Sequence, residues 1–230
     1  MLVYSLSVHF KMIRVDFIRH GECLDNAFLR GHSPSELSAL GEHQMHTVFS
    51  TLPKPDWVIS SPAQRCLKPA KNYYSDLTVW SSFQERCFGI WDGLSYEEVK
   101  KLDSSGLKRY LEQPFTFDIS KSESLSYFEN RVVSAFKKAL EHATIHSLNH
   151  VCIVTHGGVM RVLLKSILGL NNQALFQFEI GFGATMTLEC FTINCPLLSQ
   201  PPRIEQEKEK QNIASLSDYF IKLVALTPSC

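Results

Sequence analysis

Residues 15–26, VDFIRHGECLDN, carry an apolar run that ends on an arginine and a histidine. Together with the residues before it, this run predicts a short buried strand over residues 12–18. Arg19 and His20 then lie at the carboxyl end of the strand, where their burial costs free energy unless an ionic partner meets them. The stretch therefore predicts an anion site at the end of a buried strand.

Strand-like and helix-like patterns alternate along the rest of the chain. Apolar residues at helical spacing mark the helices, and short apolar runs bounded by turn residues mark the strands. The alternation implies an α/β fold, a three-layer sandwich in which a mostly parallel central sheet is flanked by helices on both faces. The predicted elements after the first strand are a helix over 39–51 capped by Ser38, a strand over 56–60, a helix with Pro62 in its first turn that Pro69 ends or kinks, a strand over 77–83, a helix from Ser95, a helix over 124–146, a strand and a helix within 150–169, two closing strands within 175–193 and a terminal helix over 214–226.

The length and composition favour a single domain over residues 1–230. The chain is 44% hydrophobic, which is enough to form one substantial core. Residues 102–123 mix Ser, Gly, Pro and Phe without a clear period, and we predict a cap or lid there. Residues 200–230 are predicted to be a C-terminal extension that opens with a charged linker over 201–212. Residues 1–11 are either part of the native chain or an extension upstream of a start at Met12.

The charge balance argues against a polyanion as partner. The formal net charge is zero and the pI is about 7.1, so we expect no nucleic-acid partner, and any anion site must be local. No apolar run is long enough to span a bilayer, and Lys11 and Arg14 interrupt the first one, so we expect neither a membrane partner nor a signal peptide. Seven scattered cysteines without a C-x-x-C pair predict reduced thiols and a cytoplasmic location.

Two further stretches place polar residues where predicted strands end. Residues 153–158, IVTHGG, put His156 at the end of an apolar strand, and Arg65 follows another strand by about one helical turn. Function in parallel sheets gathers at the carboxyl ends of the strands. We therefore expect these two residues to lie close to Arg19 and His20.

Such a group of residues suits a phosphoryl ligand. Guanidiniums supply bidentate cationic donors, and backbone N–H groups near helix N-termini supply an anion hole. A neutral imidazole held between cations is able to attack phosphorus. The N–H groups expected to take part are those of Gly21, Gly157 and Gly158.

The motifs around these residues resemble those of the histidine phosphatase superfamily, which includes the cofactor-dependent phosphoglycerate mutases. The matches follow the family's order from about residue 13 to residue 190, and an ordered set is far more specific than a lone tetrapeptide. The matching segments are RHGE with Asn26, ELSALGEHQ (36–44), SSPAQRCLKPA (60–70), QERCFGIWDG (84–93), ESLSYFENRV (123–132) and VTHGGVMRVLL (154–164).

The resemblance implies a phosphoglycerate mutase-like fold and a phosphohistidine mechanism. His20 would attack the phosphoryl group, whose charge Arg19, Arg65 and His156 would hold. Glu85 would protonate the leaving oxygen and later deprotonate water. The resemblance implies that no metal is required, and we expect no cofactor for this chain; the expected partner is a small phosphorylated substrate. The residues expected to bind the substrate are Asn26, Arg30, Gly31 and Gly157.

The chain departs from the family's usual pattern at three positions. Cys23 stands where threonine is usual, Cys66 where alanine is usual and Pro69 where threonine is usual, so the hydroxyl contacts of that pattern are absent. The loop before Gly31 is short and carries Arg30. We expect this extra cation to recognise a second acidic or polar group of the substrate.

Residues 31–41 and 163–184 most resemble the alpha-ribazole phosphatases, which remove the 5′-phosphate of a nucleotide-loop precursor in bacterial cobalamin assembly. The alternatives are a broad-specificity small-molecule phosphatase and a cofactor-dependent phosphoglycerate mutase. From another class, a non-catalytic phosphate-binding module is disfavoured because both His20 and Glu85 are present. The apolar residues from Leu175 onward are compatible with a homodimer.

Three other patterns fit their usual sites poorly. His142 and His146 lie four residues apart on a predicted helix, but the H-E-x-x-H arrangement and a third ligand are missing, so no metal site is expected. Residues 181–186, GFGATM, hold only two of the three glycines of a dinucleotide-binding loop. The interval from Cys23 to Arg30 is one residue too long for the C-x5-R loop of cysteine phosphatases, so Cys23 is expected to be a wall of the pocket.

Overall fold

The computed structural model describes residues 11–25, 27–192 and 216–228. The strands are β1 Met12–Arg19, β2 Trp57–Ser60, β3 Thr78–Val79, β4 His150–Thr155, β5 Thr185–Thr192 and β6 Tyr219–Thr227, and the helices are α1 Ala39–Thr51, α2 Gln64–Tyr73, α3 Tyr96–Leu102, α4 Ser104–Glu112, α5 Leu125–Ile145 and α6 Gly157–Leu168. The six strands form one sheet of order β3-β2-β4-β1-β5-β6. The pairs from β3 to β1 are parallel, whereas β5 and β6 add antiparallel strands at one edge.

The two faces of the sheet pack against different helices. Val15 and Phe17 of β1 belong to a core cluster that includes residues of α5 and α6, whereas Ile18 belongs to a cluster with residues of α1 and α2. Phe17 meets Phe136 of α5 edge to face, with ring centroids 5.3 Å apart. Burial of each such side chain contributes about 1.5–3 kcal/mol to stability. The predicted three-layer α/β sandwich is confirmed, with a mixed sheet as its middle layer.

Hydroxyl caps begin three helices where the sequence predicts them. Ser38 accepts a hydrogen bond from the Gly41 N–H at 3.0 Å, and Ser124 accepts one from the Tyr127 N–H at 3.2 Å. Ser95 forms a capping box with Glu98 at the start of α3. Each cap satisfies N–H groups that have no partner inside the helix and is worth about 1 kcal/mol.

The loop after β1 is held against the start of α1 by a close approach of two glycines. A Cβ atom on Gly21 would lie 2.2 Å from the carbonyl oxygen of Gly41, which no side chain can tolerate. Both positions therefore require glycine. The contact places His20, the residue before Gly21, at a defined distance from α1.

The predicted place of Pro62 and an end of α2 at Pro69 are both wrong, whereas a kink at Pro69 stays a prediction. Pro62 precedes α2 instead of lying in its first turn. Pro69 lies inside α2, which continues beyond it. A proline in the middle of a helix removes one backbone hydrogen bond, but Cys66 and Ala70 on the same helix are buried in the core and hold α2 in place.

Three further element predictions are corrected. Of residues 77–83, only Thr78–Val79 form a strand, because a 3-10 helix begins at Ser81. Residues 175–193 contain one closing strand, β5, and the second is β6, where the sequence predicts a terminal helix. Partly buried and exposed residues alternate along β6, as in a half-covered strand, and its partner is β5. The predicted charged linker over 201–212 lies outside the described residues.

The segment predicted to be a cap contains helix α4. Asp103 caps this helix by accepting a hydrogen bond from the Gly106 N–H at 2.8 Å. Trp91, Leu107 and Tyr110 belong to a third core cluster, which is separate from the two clusters on the sheet. Residues 102–123 thus include part of a small core of their own, and their role as a cap stays a prediction.

The described residues contain no helix that is both long and apolar enough to cross a membrane. The cysteines in this part of the chain are free, namely Cys23, Cys66, Cys87, Cys152 and Cys190. The predicted cytoplasmic location is not tested by either observation.

A buried carboxylate, Asp16, links three strands of the sheet. It is fully buried and accepts hydrogen bonds from His150 Nε2 at 2.6 Å, Arg14 Nε at 2.8 Å and Thr187 Oγ1 at 2.5 Å. Burial raises the pKa of Asp16, but the bonds from His150, Arg14 and Thr187 outweigh burial and lower it overall. The carboxylate therefore contributes stability above its unfolded pKa, near 3.9, and this stability is lost as the pH falls through the lowered pKa.

Replacing Asp16 with asparagine is expected to lower the free energy of unfolding at pH 7 by about 3 kcal/mol. The reason is that Arg14, His150 and Thr187 then lose the buried carboxylate to which they donate. Urea denaturation followed by tryptophan fluorescence measures this loss. Asp218→Asn is the control, since it removes an exposed ion pair with Lys137 that is worth less than about 1 kcal/mol. Equal losses in the two variants would contradict the role of the Asp16 network.

Candidate active site

His20 lies at the carboxyl end of β1, where it is only 4% exposed. Its Nδ1 is 2.8 Å from the carbonyl oxygen of Gly21, so this nitrogen carries the proton and donates. Nε2 consequently keeps its lone pair. The ring of His156, at the end of β4, meets that of His20 edge to face with centroids 5.2 Å apart. This tautomer leaves one ring nitrogen of His20 available as a nucleophile.

Arg19 provides a cation beside His20. It donates a hydrogen bond to the carbonyl oxygen of Ile180, and its guanidinium lies over the ring of Phe182, 4.0 Å from the centroid. Its Nε is buried and has no hydrogen-bond partner among the described residues. Burial lowers the pKa of Arg19 to about 10, which leaves the group charged at neutral pH. The side chain can therefore still donate to an anionic ligand.

Arg65, in the first turn of α2, is almost fully buried and is held by backbone carbonyls. Its Nη2 donates to the carbonyl oxygen of Gly31 at 2.6 Å and its Nη1 to that of Ser33 at 3.2 Å. Nη2 also lies 3.3 Å from Nδ1 of His156. A guanidinium has only donors, so Nδ1 of His156 is the acceptor in this contact. Nε2 of His156 then carries the proton and donates to Ser61 Oγ at 2.7 Å.

Both histidines are neutral. Burial is the main cause that holds the pKa of His20 well below its ordinary value, and the nearby Arg65 and Arg19 lower it further. Burial, followed by Arg65 and His20, likewise lowers the pKa of His156. A neutral His20 has a free lone pair over the whole range of physiological pH.

The lowered pKa of His20 predicts a flat pH profile where histidine usually titrates. Because the imidazole stays neutral in acid, kcat/KM should show no loss centred near pH 6.5 between about pH 7 and pH 5.5, once the substrate's own ionisation near pH 6 is corrected for. Steady-state kinetics across this range measure the profile. A corrected profile with a midpoint near pH 6.5 would contradict the neutral pocket.

Glu85 lines the same cavity as Gly158, at the N-terminus of α6, and is 8% exposed. Its Oε2 accepts a hydrogen bond from the Gly158 N–H at 2.9 Å, and its Oε1 accepts one from the Arg86 N–H at 2.9 Å. A Cβ atom on Gly158 would lie 2.2 Å from Oε1, so the carboxylate can approach the helix only because this residue is glycine. The two bonds orient Glu85 within the cavity that His20 lines.

A cavity of about 240 Å³ opens beside His20. Its wall combines three site residues, Arg19, His20 and Glu85, with aromatic side chains and further cations. Arg65 and His156 are not among its lining residues; they bond to each other, and the His156 ring packs against that of His20. The aromatic residues of the wall are Phe28, Phe88, Tyr110, Phe115, Phe128 and Phe176, and its other cations are Arg30, Arg86 and Arg161.

The predicted substrate-binding residues Arg30 and Gly31 already have protein partners for their polar groups. Arg30 lines the cavity but forms an ion pair with Asp25, which also accepts from Ser35. Burial raises the pKa of Asp25, but the bonds from Arg30 and Ser35 outweigh it and lower the pKa to about 2. Gly31 donates to Asp92 and accepts from Arg65, so its polar groups have protein partners.

Two other predicted residues complete the set. A Cβ atom on Gly157 would lie 3.2 Å from Arg19 Nε, so the backbone of Gly157 is next to the nitrogen of Arg19 that has no hydrogen-bond partner among the described residues. Asn26 lies outside the described residues. The binding roles of Asn26, Arg30, Gly31 and Gly157 stay predictions.

The two unusual cysteines flank the two histidines. Cys23 Sγ is 3.8 Å from His20 Nδ1, and Cys66 Sγ is 3.7 Å from His156 Nε2. Burial raises the pKa of Cys66 to about 12, so it remains a thiol. Cys23 is buried beside the His20 ring but is not among the residues that line the cavity, so its role as a wall of the pocket stays a prediction.

Sequence reasoning missed two cations and most of the aromatic wall. Arg161 lies on α6, and its Nε is buried with no hydrogen-bond partner among the described residues. Arg86 follows Glu85 directly and donates from Nε to the carbonyl oxygen of Glu123 at 2.7 Å. A signal for Arg161 was present, since it follows His156 by little more than one turn of α6 and so points back to the same end of the sheet.

The described residues hold no group of three His, Cys, Asp or Glu side chains able to bind a metal ion. His142 and His146 stack on each other with ring centroids 4.1 Å apart, and His142 also packs on Trp57 at 4.4 Å. Their contacts are therefore aromatic. That the reaction needs no metal stays a prediction.

Comparison with known proteins gives a family and several relatives. A family model, the histidine phosphatase superfamily (branch 1), matches residues 15–196. The broad-specificity phosphatase YOR283W of Saccharomyces cerevisiae is 28% identical over 177 residues, which cover 71% of this chain and 74% of that protein. The adenosylcobalamin/alpha-ribazole phosphatase of Escherichia coli is 23% identical over 186 residues, covering 77% and 90%. The crystal structure of the alpha-ribazole phosphatase from Shigella flexneri, at 22% identity, gives a TM-score of 0.69 and covers 76% of this chain and 90% of that one.

Proposed function

The chain belongs to the histidine phosphatase superfamily and is a phosphatase, and we propose that it hydrolyses a phosphomonoester through a phosphohistidine formed on His20. The support for His20 is its neutral state near the charges of Arg65 and Arg19, and the Nδ1 bond to the Gly21 carbonyl, which leaves Nε2 with its lone pair. Arg19 and Arg65 neutralise the phosphoryl oxygens, and His156 lies behind His20 as a third contact.

The reaction proceeds in two steps. The Nε2 lone pair of His20 forms a bond to phosphorus while the ester P–O bond breaks, and the leaving oxygen takes a proton from Glu85. Water then attacks phosphorus, its proton passes to Glu85, and the N–P bond breaks to release inorganic phosphate. Glu85 is suited to both transfers because it lines the same cavity as His20 and is held by two backbone N–H groups.

The proposed class of substrate rests on the aromatic wall of the cavity. The rings of Phe115 and Phe176 stack with centroids 5.4 Å apart, and both belong to the wall. Flat rings bury best against such a wall, where stacking adds to the burial of apolar area. The substrate is therefore a phosphomonoester whose alcohol carries a flat apolar group.

Among such compounds, alpha-ribazole 5′-phosphate is the proposed substrate. Its benzimidazole ring matches the aromatic wall, and its ribose hydroxyls can accept hydrogen bonds from Arg30, Arg86 or Arg161, which line the same cavity. The alpha-ribazole phosphatases named above resemble this chain over most of its length. The enzyme would then act in the cytoplasm, in assembly of the cobalamin nucleotide loop.

One observation favours a second function, broad hydrolysis of small acidic phosphomonoesters. Arg161 has a buried Nε without a hydrogen-bond partner and no ion-pair partner among the described residues. A cation placed in this way suits a carboxylate on the substrate. A broad-specificity relative is also similar to this chain.

A mutase, by contrast, would have to retain its phosphohistidine and return the phosphate to a second oxygen.

The two functions are separated by phosphate release from a panel of esters, measured with chelator present. The panel holds alpha-ribazole 5′-phosphate, mononucleotides, sugar phosphates, phosphoserine and 3-phosphoglycerate. A lead of about a hundredfold in kcat/KM for alpha-ribazole 5′-phosphate, roughly 2.7 kcal/mol, supports it as the substrate. Equal, slow cleavage of all esters favours the broad-specificity function, and retention of the phosphoenzyme favours a mutase.

A pair of variants tests the aromatic wall directly. Phe176 in the wall is 61% exposed and Phe220 on β6 is 60% exposed, so the two are matched in exposure. Phe176→Ala should lower kcat/KM for aromatic esters by about tenfold and leave phosphoserine hydrolysis unchanged, whereas Phe220→Ala should change neither. A loss that is the same for both substrates would contradict stacking against Phe176.

A further inference from the structure

The carboxylate of Asp92 accepts hydrogen bonds from four backbone N–H groups. Oδ1 accepts from Gly31 at 3.1 Å and Ser33 at 3.0 Å, and Oδ2 accepts from His32 at 2.8 Å and Phe88 at 3.2 Å. Burial raises the pKa of Asp92, but the bonds from His32, Ser33 and Phe88 outweigh it and lower the pKa overall. The carboxylate is therefore ionised, and each bond it accepts is charge-assisted.

The loop that Asp92 holds is the same loop that holds Arg65. Arg65 Nη2 donates to the carbonyl oxygen of Gly31 at 2.6 Å, and Nη1 donates to that of Ser33 at 3.2 Å. The loop thus binds a carboxylate through its N–H groups and a guanidinium through its carbonyls. Hydrogen bonds linked through peptide groups in this way strengthen one another.

The same carboxylate also connects to the segment that carries Glu85. Its bond to the Phe88 N–H anchors the turn three residues after Glu85. His32, whose N–H donates to Asp92, places its Nε2 3.0 Å from the carbonyl oxygen of Glu85. Asp92 therefore joins residues 31–33, which hold the Arg65 guanidinium, to the segment that carries Glu85.

We propose that Asp92 is a positioning residue, which sets the orientation of the Arg65 guanidinium through residues 31–33 and thereby the fit of the phosphoryl group. This inference rests on the proposed role of Arg65 in phosphoryl binding. Asp92 contacts the loop that holds Arg65 through backbone N–H groups, so it acts through Arg65 rather than on the substrate. This close approach requires glycine at position 31, because a Cβ atom there would lie 2.3 Å from Oδ2.

The test is a double-mutant cycle with Asp92→Asn and Arg65→Lys. Asparagine keeps the shape but turns one acceptor oxygen into a donor, so about half of the bonds are lost. The readouts are kcat and KM for p-nitrophenyl phosphate and the inhibition constant for orthovanadate. We expect Asp92→Asn to lower kcat/KM by about 100-fold and to weaken orthovanadate binding by about tenfold.

The expected signature of positioning is non-additivity. If Asp92 acts through Arg65, the double variant will be no worse than Arg65→Lys alone within about threefold. Asp56→Asn is the matched control, since Asp56 also accepts two backbone N–H bonds, at 2.8 and 3.0 Å, but does so near the amino end of β4. The control should leave all three readouts unchanged.

Several outcomes would overturn the inference. Losses that multiply in the double variant, or a folded Asp92→Asn enzyme with normal orthovanadate binding, would each show that Asp92 does not act through Arg65; thermal unfolding checks that each variant is folded. If Arg65→Lys itself leaves orthovanadate binding unchanged, the proposed role of Arg65 is wrong and the inference falls with it. Multiplying losses with an impaired Arg65→Lys enzyme overturn only the inference about Asp92.

Discussion

Replacing His20 with alanine will lower kcat/KM by about 10⁴-fold or more, as expected when the nucleophile of a covalent mechanism is removed. The side chain is buried and neutral, and its Nδ1 donates to the Gly21 carbonyl, so Nε2 keeps its lone pair and has no hydrogen-bond partner among the described residues. Arg19 and Arg65 remain in the variant. Inorganic phosphate should therefore still bind, although the phosphoryl group can no longer be transferred.

Rapid quenching into alkali measures the intermediate itself, because phosphohistidine survives there and is lost in acid. Wild-type enzyme mixed with a labelled phosphomonoester should retain label on the protein, and His20→Ala should retain none. His46→Ala is the control, since His46 lies on α1, outside the cavity that His20 lines. A His20→Ala enzyme with wild-type turnover, or one that still becomes labelled, would show that another residue is the nucleophile.

The sequence was sufficient to predict the centre of the site because parallel strands fix where residues end up. Arg19 pairs with Thr155 in the β1–β4 register, so the residues that follow, His20 and His156, must be neighbours. That consequence needs only the apolar runs, their order and the rule that parallel strands end at the same edge. The buried positions of His20, His156, Arg65 and Glu85 all agree with it.

The walls of the cavity could not be predicted in the same way. Phe115 and Tyr110 reach the cavity from residues 102–123, whose position depends on the packing of a third core cluster around Trp91. Asp92 bonds to a loop about sixty residues earlier in the chain. Such contacts arise from tertiary packing, and no local period in the sequence reports them.

The error at β6 has a related cause. Residues 219–227 form a short apolar run, and a run of this length fits a helix or a strand about equally well. The decision comes from β5, which offers an unpaired edge to which the run can bond along its whole length. A strand needs such a partner and a helix does not, and the sequence of the run does not report whether the partner is present.

Replacing Glu85 with glutamine will lower kcat/KM for alkyl phosphates by about 10³-fold, within the range for loss of a general acid. An alkoxide leaves slowly without a proton, whereas p-nitrophenolate leaves readily. The same variant should therefore lose only about tenfold in the first step with p-nitrophenyl phosphate. Glutamine can still accept one of the two backbone bonds that Glu85 accepts, so the fold around α6 is retained.

The second step should fail for both kinds of substrate, because water attack on the phosphohistidine needs a base. Glu85→Gln should consequently release a burst of p-nitrophenolate close to one equivalent per enzyme and then accumulate phosphoenzyme, which alkaline quenching detects. Glu98→Gln is the control, since Glu98 also accepts a backbone N–H bond, from Ser95 at 2.8 Å, but lies in an exposed helix cap. If Glu85→Gln slowed both substrates equally and gave no burst, the role of Glu85 would be to position α6 and not to transfer a proton.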